Sequence, residues 1–309
     1  MAWGRRSQSD SRSGVLLVCF LAGILVLESL EGCRTPPAPM NDNTNGPGDP
    51  GGPIDPDMPP ITDGDWFRPA VAATWQWQLQ PNAQGEINTA YDVDVYDLDL
   101  FEVPDEVIEG LHAEGRRVIC YFSAGSYESF RPDSGEFEDA ELGRPLEGFA
   151  DERWLDIRSA NVRQIMLARL DLAVERGCDG VEPDNVDGFA NDTGFPLTEA
   201  DQLAFNRVLA NEAHLRGLAV ALKNDLDQVP QLVAYFDFSV NEQCHEFEEC
   251  DALQPFIDAG KPVFNAEYES RWVNNAAERE ELCADAQSQN IRTLVLPLDL
   301  DDSFRFSCD

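Results

Sequence analysis

Eight repeats of strand and helix predict a (β/α)8 TIM barrel for residues 66–309. Three observations carry that expectation. Short apolar strand segments alternate with helical ones along the whole stretch, which argues for a parallel sheet with helices outside it. Gly115, Gly177, Gly217 and Gly260 end helices and lead straight into strands. The strands end in polar, mostly acidic residues, and a barrel keeps its chemistry where strand C-termini meet the following loops. A doubly wound open sheet is the alternative. No GxGxxG, and no GxxxxGK followed by Ser or Thr, comes after any strand, so the phosphate-binding signals of that fold are missing.

Ahead of the barrel, Arg5, Arg6 and Arg12 precede an apolar run from Val15 to Leu27 that is too short for a comfortable membrane span. Leu30-Glu31-Gly32-Cys33 then resembles the lipobox of bacterial lipoproteins, with Glu31 where a small or apolar residue is usual. Residues 1–32 are accordingly expected to be a lipoprotein-type signal, with Cys33 lipidated in the bacterial cell envelope. The membrane would be reached only through that anchor. The alternative is an ordinary cleaved signal and a secreted product. Residues 33–65, rich in Pro, Gly, Asp and Asn, lack apolar periodicity and read as a flexible tether.

The barrel elements follow in order. Thr74–Leu79 is a candidate strand, and Val93–Leu100 alternates apolar residues with Asp94, Asp97 and Asp99. A helix starts near Pro104 and stops at Gly115, the expected Pro-first, Gly-last asymmetry. Arg117–Ser123 is a strand, and 124–153 reads as a long loop. The helical spacing of Ile165, Leu170 and Val174 places a helix over 161–176. The next strand opens after Gly177 and is expected to break at Pro183. Thr198 and Asp201 suggest a capping box for a helix that ends at Gly217. Strands at 218–222, 236–240, 262–266 and 291–296 complete the count, with a last helix over 276–289.

Only polar residues at strand ends should reach the mouth of such a barrel. The fourth strand ends in Glu182-Pro-Asp184-Asn185, the fifth in Lys223-Asn-Asp, the sixth in Asn241-Glu242 and the seventh in Glu267-Tyr268. The first three add Trp75, Trp77, Asp97, Asp99 and Tyr121. The set holds no His, and no Ser or Cys beside an obvious base, which disfavours nucleophilic Ser or Cys catalysis. Carboxylate pairs walled by aromatics fit glycoside hydrolysis, one acid protonating the leaving oxygen and the other attacking carbon or activating water. Trp75 and Trp77 alternate onto one face and would serve either as a sugar platform or as core. Lys223 is one of only two lysines in the chain. It would keep a carboxylate ionised, bind a substrate oxygen, or form a structural ion pair.

Acidic residues outnumber basic ones 58 to 22, a net charge of −36, which argues against nucleic acid and anionic membrane surfaces as partners. Cationic or neutral ligands are favoured, and a monomer is expected. Among the cysteines after Cys33, Cys244 and Cys250 are close enough to staple one loop, and Cys283 with Cys308 could pin the C-terminus. Cys120 and Cys178 would be paired or buried free. No CxxC or close Cys/His set suggests zinc, so neither metal nor cofactor is expected. An all-oxygen metal site and a non-catalytic polysaccharide-binding surface lipoprotein remain alternatives.

The run Gly-Cys-Asp-Gly-Val-Glu-Pro-Asp-Asn-Val-Asp from Gly177 carries a resemblance. With it go Tyr-Asp-Leu-Asp-Leu-Phe from Tyr96, Cys-Tyr-Phe-Ser-Ala-Gly from Cys120, Leu-Lys-Asn from Leu222 and Asn-Glu-Gln-Cys from Asn241. Together these resemble glycoside hydrolase family 114, secreted or surface endo-α-1,4-polygalactosaminidases with a (β/α)8 barrel. The resemblance implies an amino-sugar polysaccharide substrate and a catalytic Asp and Glu, which fall on Asp184 and Glu242. It also implies a retaining mechanism, with Asp184 assigned as nucleophile, Glu242 as acid/base, and Glu182 as the rival to Asp184. Asp97, Asp99, Asp187 and Glu267 become candidates for holding substrate amines.

Overall fold

The computed structural model describes residues 58–309. The leader, Cys33 and most of the expected tether lie outside the described residues. In chain order the elements are β1 (Trp75–Gln78), β2 (Val95–Asp99), α1 (Asp105–Ala113), β3 (Arg117–Ser123), β4 (Ser126–Glu128), β5 (Leu142–Leu146) and β6 (Phe149–Leu155). There follow α2 (Ala160–Arg176), β7 (Gly180–Asp184), α3 (Glu199–Leu215), β8 (Ala219–Lys223), α4 (Val229–Leu232), β9 (Phe238–Glu242) and α5 (Gln254–Asp258). The last are β10 (Val263–Glu267), α6 (Ser270–Asn274), α7 (Ala276–Ser288), β11 (Ile291–Val295) and β12 (Phe306–Ser307). Strands β1, β2, β3, β7, β8, β9, β10 and β11 lie side by side in sequence order and pair in parallel. This is the curled parallel sheet expected of a TIM-barrel-like fold. β12 adds to β11 antiparallel, and there Arg305 reaches back to β1, donating to the Trp75 carbonyl at 2.9 Å and to Gln76 Oε1 at 2.5 Å.

Period-two alternation sorts each strand's side chains between two cores. Tyr96, Leu98, Val118, Cys120, Phe122, Val181, Val220 and Leu222 pack under the helices. Trp75, Trp77, Val95, Ile119, Ala219, Ala221, Phe238, Val240, Phe264 and Ala266 fill the other face. Along that second face every central strand turns polar at its C-terminal end. Ile119 leads to Tyr121, Gly180 to Glu182 and Asp184, Ala221 to Lys223, and Val240 to Glu242. The apolar base holds the barrel together, and the polar end forms the site.

Helix ends follow their signals. Ser159 caps α2 by accepting from the Asn161 and Val162 N–H groups, and Gly177 closes it at φ 81°. Thr198 and Asp201 form the expected capping box of α3.

Three expectations need correction, and one open choice is decided. The strand after Gly177 does not break at Pro183; β7 runs through it to Asp184. Its ladder to β8 stops at Val181, so proline's missing N–H costs no bond on that side. Residues 124–153 are not a structureless loop but carry the antiparallel sheet β4-β6-β5. Buried arginines fasten it: Arg131 binds Asp99 and Glu128, and Arg169 binds Asp133 and the Ser123 carbonyl. Of the two options for Cys120 and Cys178, the paired one holds: they form a third disulfide beside Cys244–Cys250 and Cys283–Cys308. Finally, residues 58–65 are not free tether. Asn211 bonds the Pro59 carbonyl at 2.9 Å and the Ile61 N–H at 2.8 Å, and Tyr235 bonds the Met58 carbonyl. His214 bridges the Ile61 carbonyl and Asp237 while stacking on Trp66 at 4.1 Å.

A chain that begins at Trp66 should therefore be less stable than one that begins at Met58. Net hydrogen-bond contributions of about 1 kcal/mol each set against re-ordering entropy give a difference of about 1–3 kcal/mol. A melting comparison of the two chains checks this; equal midpoints would show that the segment contributes nothing.

Candidate active site

One buried ammonium organises the C-terminal ends of β7, β8 and β9. Lys223 Nζ stands 3.1 Å from Glu182 Oε1, 3.1 Å from Asp184 Oδ1 and 3.4 Å from Glu242 Oε2. The rings of Trp77 and Tyr121 face it at 4.7 and 5.8 Å. Burial works against its charge, but the fields of Asp184, Glu182 and Glu242 outweigh that and raise its pKa well above the ordinary lysine value.

Each member of the pair has further donors. Asp184 Oδ1 takes the Asn185 N–H at 2.7 Å, and its Oδ2 takes the Tyr121 hydroxyl at 3.1 Å. Glu242 Oε1 takes the Tyr268 hydroxyl at 2.5 Å, and Oε2 takes Asn224 Nδ2 at 3.4 Å. Both carboxylates keep some exposure, 17% and 27% of the side chain, whereas Glu182 has none. The sequence left Glu182 and Asp184 as rivals, and they differ in exposure: Asp184 is partly open to solvent and Glu182 is not. Burial first, and then the neighbouring acids, push the Tyr121 and Tyr268 hydroxyls well above the usual phenol range, so both remain donors.

Beneath the pair sits a carboxyl–carboxyl contact. Asp97 lies close enough to Glu182 to feel its charge, and neither Asp97 oxygen has a hydrogen-bond partner among the described residues. Burial and the charge of Glu182 push the Asp97 carboxyl well above its ordinary range. Burial also lifts Glu182 to about 7 against the pull of Lys223.

Several residues expected at the mouth are elsewhere. Trp75 is fully buried, donates Nε1 to the Arg292 carbonyl at 3.0 Å and stacks on Phe264 at 5.0 Å, so it is core. Trp77 is 2% exposed and supports Lys223 rather than presenting a ring to a sugar. Asp99 is held by Arg131 through two bonds of 2.9 and 2.6 Å. Glu267 is buried and accepts the His245 N–H at 2.8 Å and Asn265 Nδ2 at 2.9 Å, which pins the loop after β9. Asp97, as above, lies under the pair. Asn241 is 1% exposed and donates to Asn224 Oδ1 at 3.2 Å.

The sequence reading missed some contributors. Ser126 and Glu152 join the strand-end Ser123 in a chain of bonds that ends on Asn185 Nδ2, and Glu152 comes from the sheet read as a loop. Gly125 is required because a Cβ there would collide with the Asn185 carbonyl. A cleft of about 360 Å3 opens beside Glu242 and is lined also by Asp187, Asn224, Asp225, Asn241 and Phe247.

Two partly exposed strand-end carboxylates held around one cation, one of them lining a cleft, on a TIM-barrel-like fold form the constellation of a glycoside hydrolase. The sequence model of glycoside-hydrolase family GH114 matches residues 57–309. Ega3 of Aspergillus fumigatus, whose crystal structure holds galactosamine, is 44% identical and superposes with a TM-score of 0.75. That alignment covers 80% of this chain and 99% of the other. The hydrolase domain of PelA from Pseudomonas aeruginosa shares the fold at 16% identity and a TM-score of 0.56, covering 76% of this chain and 97% of that domain. An uncharacterised protein of Deinococcus radiodurans is 26% identical over 259 residues, 69% of this chain and 79% of the relative. The chain belongs to glycoside hydrolase family GH114.

The buried acids predict how stability varies with pH. Burial pushes Glu152, Glu182 and Glu267 up to about 7, Asp187 to about 6 and Asp225 to about 8. Unfolded carboxyls ionise near 4, so between about pH 4 and 8 the folded state binds more protons than the unfolded one. Stability must then fall as pH rises through that window. The melting midpoint should be higher at pH 5 than at pH 8, and Glu267→Gln should shrink the difference. A midpoint that rises from pH 5 to 8 would contradict the assignment.

Proposed function

We propose that the enzyme is an endo-acting hydrolase of α-1,4-linked galactosamine-containing polysaccharide that works with retention. The observation that carries this reading is the Asp184–Lys223–Glu242 bridge, taken with the kinship to an enzyme crystallised with galactosamine. An oxygen of each carboxylate lies within bonding range of one nitrogen, so the two stand no further apart than the two distances combined, about 6.5 Å. Retaining pairs stand at about 5–5.5 Å and inverting pairs at about 6.5–9.5 Å, so the bound favours retention.

In the first step Glu242 gives its proton to the glycosidic oxygen while an Asp184 oxygen bonds the anomeric carbon and the C–O bond breaks. In the second, Glu242 takes a proton from water, whose oxygen displaces Asp184. Lys223 and Tyr121 keep Asp184 anionic and oriented, and Tyr268 holds Glu242 in line. Asn241 positions Asn224, which in turn bonds Glu242. The −36 charge would gather a partly deacetylated, cationic polymer by long-range attraction, weakened by salt. We further propose export with lipid attachment at Cys33, the Pro/Gly-rich segment spacing the barrel from the membrane. The three disulfides support export.

Hydrolysis of a partly deacetylated α-1,4-galactosamine polymer tests the reading. Asp184→Asn and Glu242→Gln should each lower kcat by about 10²–10⁴-fold, and the anomer released first should keep the α configuration by NMR. Either variant at parental rate would remove that residue from the mechanism. Lys223→Met should lower kcat by about 10²-fold or more, and the acid limb of the pH–activity profile should move to higher pH, because the nucleophile loses its cation. An unmoved limb would make Lys223 a scaffold only.

A further inference from the structure

The cleft beside Glu242 is a site that the hydrolytic pair does not use. It is lined by Glu242 but not by Asp184, which places it on the side of the acid/base and hence of the leaving group. Three features of its walls point to an occupant.

The first is Phe247, 59% exposed, on the loop closed by the Cys244–Cys250 disulfide. Its N–H bonds the Gln243 carbonyl at 3.0 Å, and the Glu249 N–H bonds the Cys244 carbonyl at 2.9 Å. A cross-linked, internally bonded loop thus holds an apolar ring in water at the rim. Such a ring can cover the apolar face of a sugar and attract a cation.

The second is Asp225, 3% exposed. Its Oδ2 takes Asn206 Nδ2 at 2.9 Å, while its Oδ1 is buried with no partner among the described residues. A buried, unpartnered carboxylate oxygen on the wall of a cleft is a feature that an arriving donor would satisfy.

The third is Asp187, whose charge lies close enough to Asp225 to hinder its ionisation. Burial and then that charge lift Asp225 to about 8. A positive charge beside the two acids would offset that field and let Asp225 ionise. A hard metal ion would require six or more oxygen ligands. The only group of three or more metal-capable side chains among the described residues is Cys244, His245 and Cys250, whose sulfurs are spent in the disulfide. An aromatic rim beside two carboxylates is suited instead to an organic ammonium.

We propose that this cleft is a leaving-side subsite for one galactosamine unit, with Phe247 covering the ring and Asp187 and Asp225 receiving its ammonium. The proposal rests on the hydrolase reading above and extends it to specificity: the enzyme would favour a free amine over an acetamide on the departing side.

The test compares two substrates on the full chain. One is a galactosamine oligomer. The other is α-galactosaminyl fluoride, whose leaving group is a single atom and cannot occupy the subsite. For Phe247→Ala and for Asp187→Asn, the loss of kcat/KM on the oligomer should exceed the loss on the fluoride by about tenfold, equivalent to about 1.4 kcal/mol. Asp187→Asn should also narrow the preference for the oligomer over its N-acetylated form. Equal losses on both substrates, or no loss on the oligomer, would overturn the subsite. If the parent cleaves neither substrate, the hydrolase reading fails, and calorimetry still decides the cleft. Oligomer binding to the Asp184→Asn chain should weaken about tenfold with Phe247→Ala added, and an unchanged Kd would overturn it. Parental melting midpoints for the variants exclude misfolding as the cause.

Discussion

A single ammonium, Lys223, sits among four carboxyl groups, and the arrangement of the site follows from that imbalance. Asp97, Glu182, Asp184 and Glu242 cannot all be ionised around one buried cation, because uncompensated buried charge is among the most costly features a fold can carry. Protons resolve the excess. Burial and the Glu182 charge favour a proton on Asp97, whose oxygens no donor among the described residues reaches. The cation faces Glu182 and also Asp184 and Glu242, the two members that keep some solvent exposure. Two acids of the same type acquire different tasks because depth in the barrel differs, not because their chemistry does.

The barrel supplies that depth. Parallel strands send alternate side chains inward, so residues two apart on one strand stand at different heights on the same face. On β7 the sequence Gly180, Glu182, Asp184 runs from floor to mouth: a glycine where a Cβ would meet Ala219 and Ile119, a buried acid, then an exposed one. The aromatic floor of Trp75, Trp77, Phe238 and Phe264 excludes water below the cation, which strengthens every charge interaction above it.

The strand–helix rhythm and the catalytic-pair candidates were legible because both are local. Glycine terminators, alternation and an acid at a strand's end are properties of short windows. What stayed hidden depended on distant partners. Trp75 and Trp77 do share a face, as alternation requires, but no local signal says how far below the mouth that face is sealed; Phe264 and Lys223 decide it. Asp99 and Glu267 resemble Asp184 by position, and only Arg131 and the N–H of His245 reveal them as structural. Pro183 reads as a breaker unless the early end of the β7–β8 ladder is known. Residues 58–65 carry tether composition, and their order comes from Asn211, His214 and Tyr235, more than 140 positions away.

The turns after the three central strands tie the backbone to the chemistry. Asn185, Asn224 and Gln243 follow Asp184, Lys223 and Glu242, and all three have left-handed backbones, at φ 60°, 48° and 63°. Glycine would adopt that conformation more easily, but two of the three positions use a short amide for a second purpose. Asn185 turns its own N–H onto Asp184 and its Nδ2 onto Ser123. Asn224 accepts the Glu242 N–H at 2.9 Å while donating to the same residue's carboxylate. Asparagine is the residue that tolerates the left-handed region and still carries both a donor and an acceptor. The sharp turn and the aim of the carboxylate are therefore one constraint. A glycine at 224 would keep the chain's path and lose both side-chain bonds to Glu242, while a glycine at 185 would keep the N–H bond to Asp184 and lose the bond to Ser123 that anchors the turn.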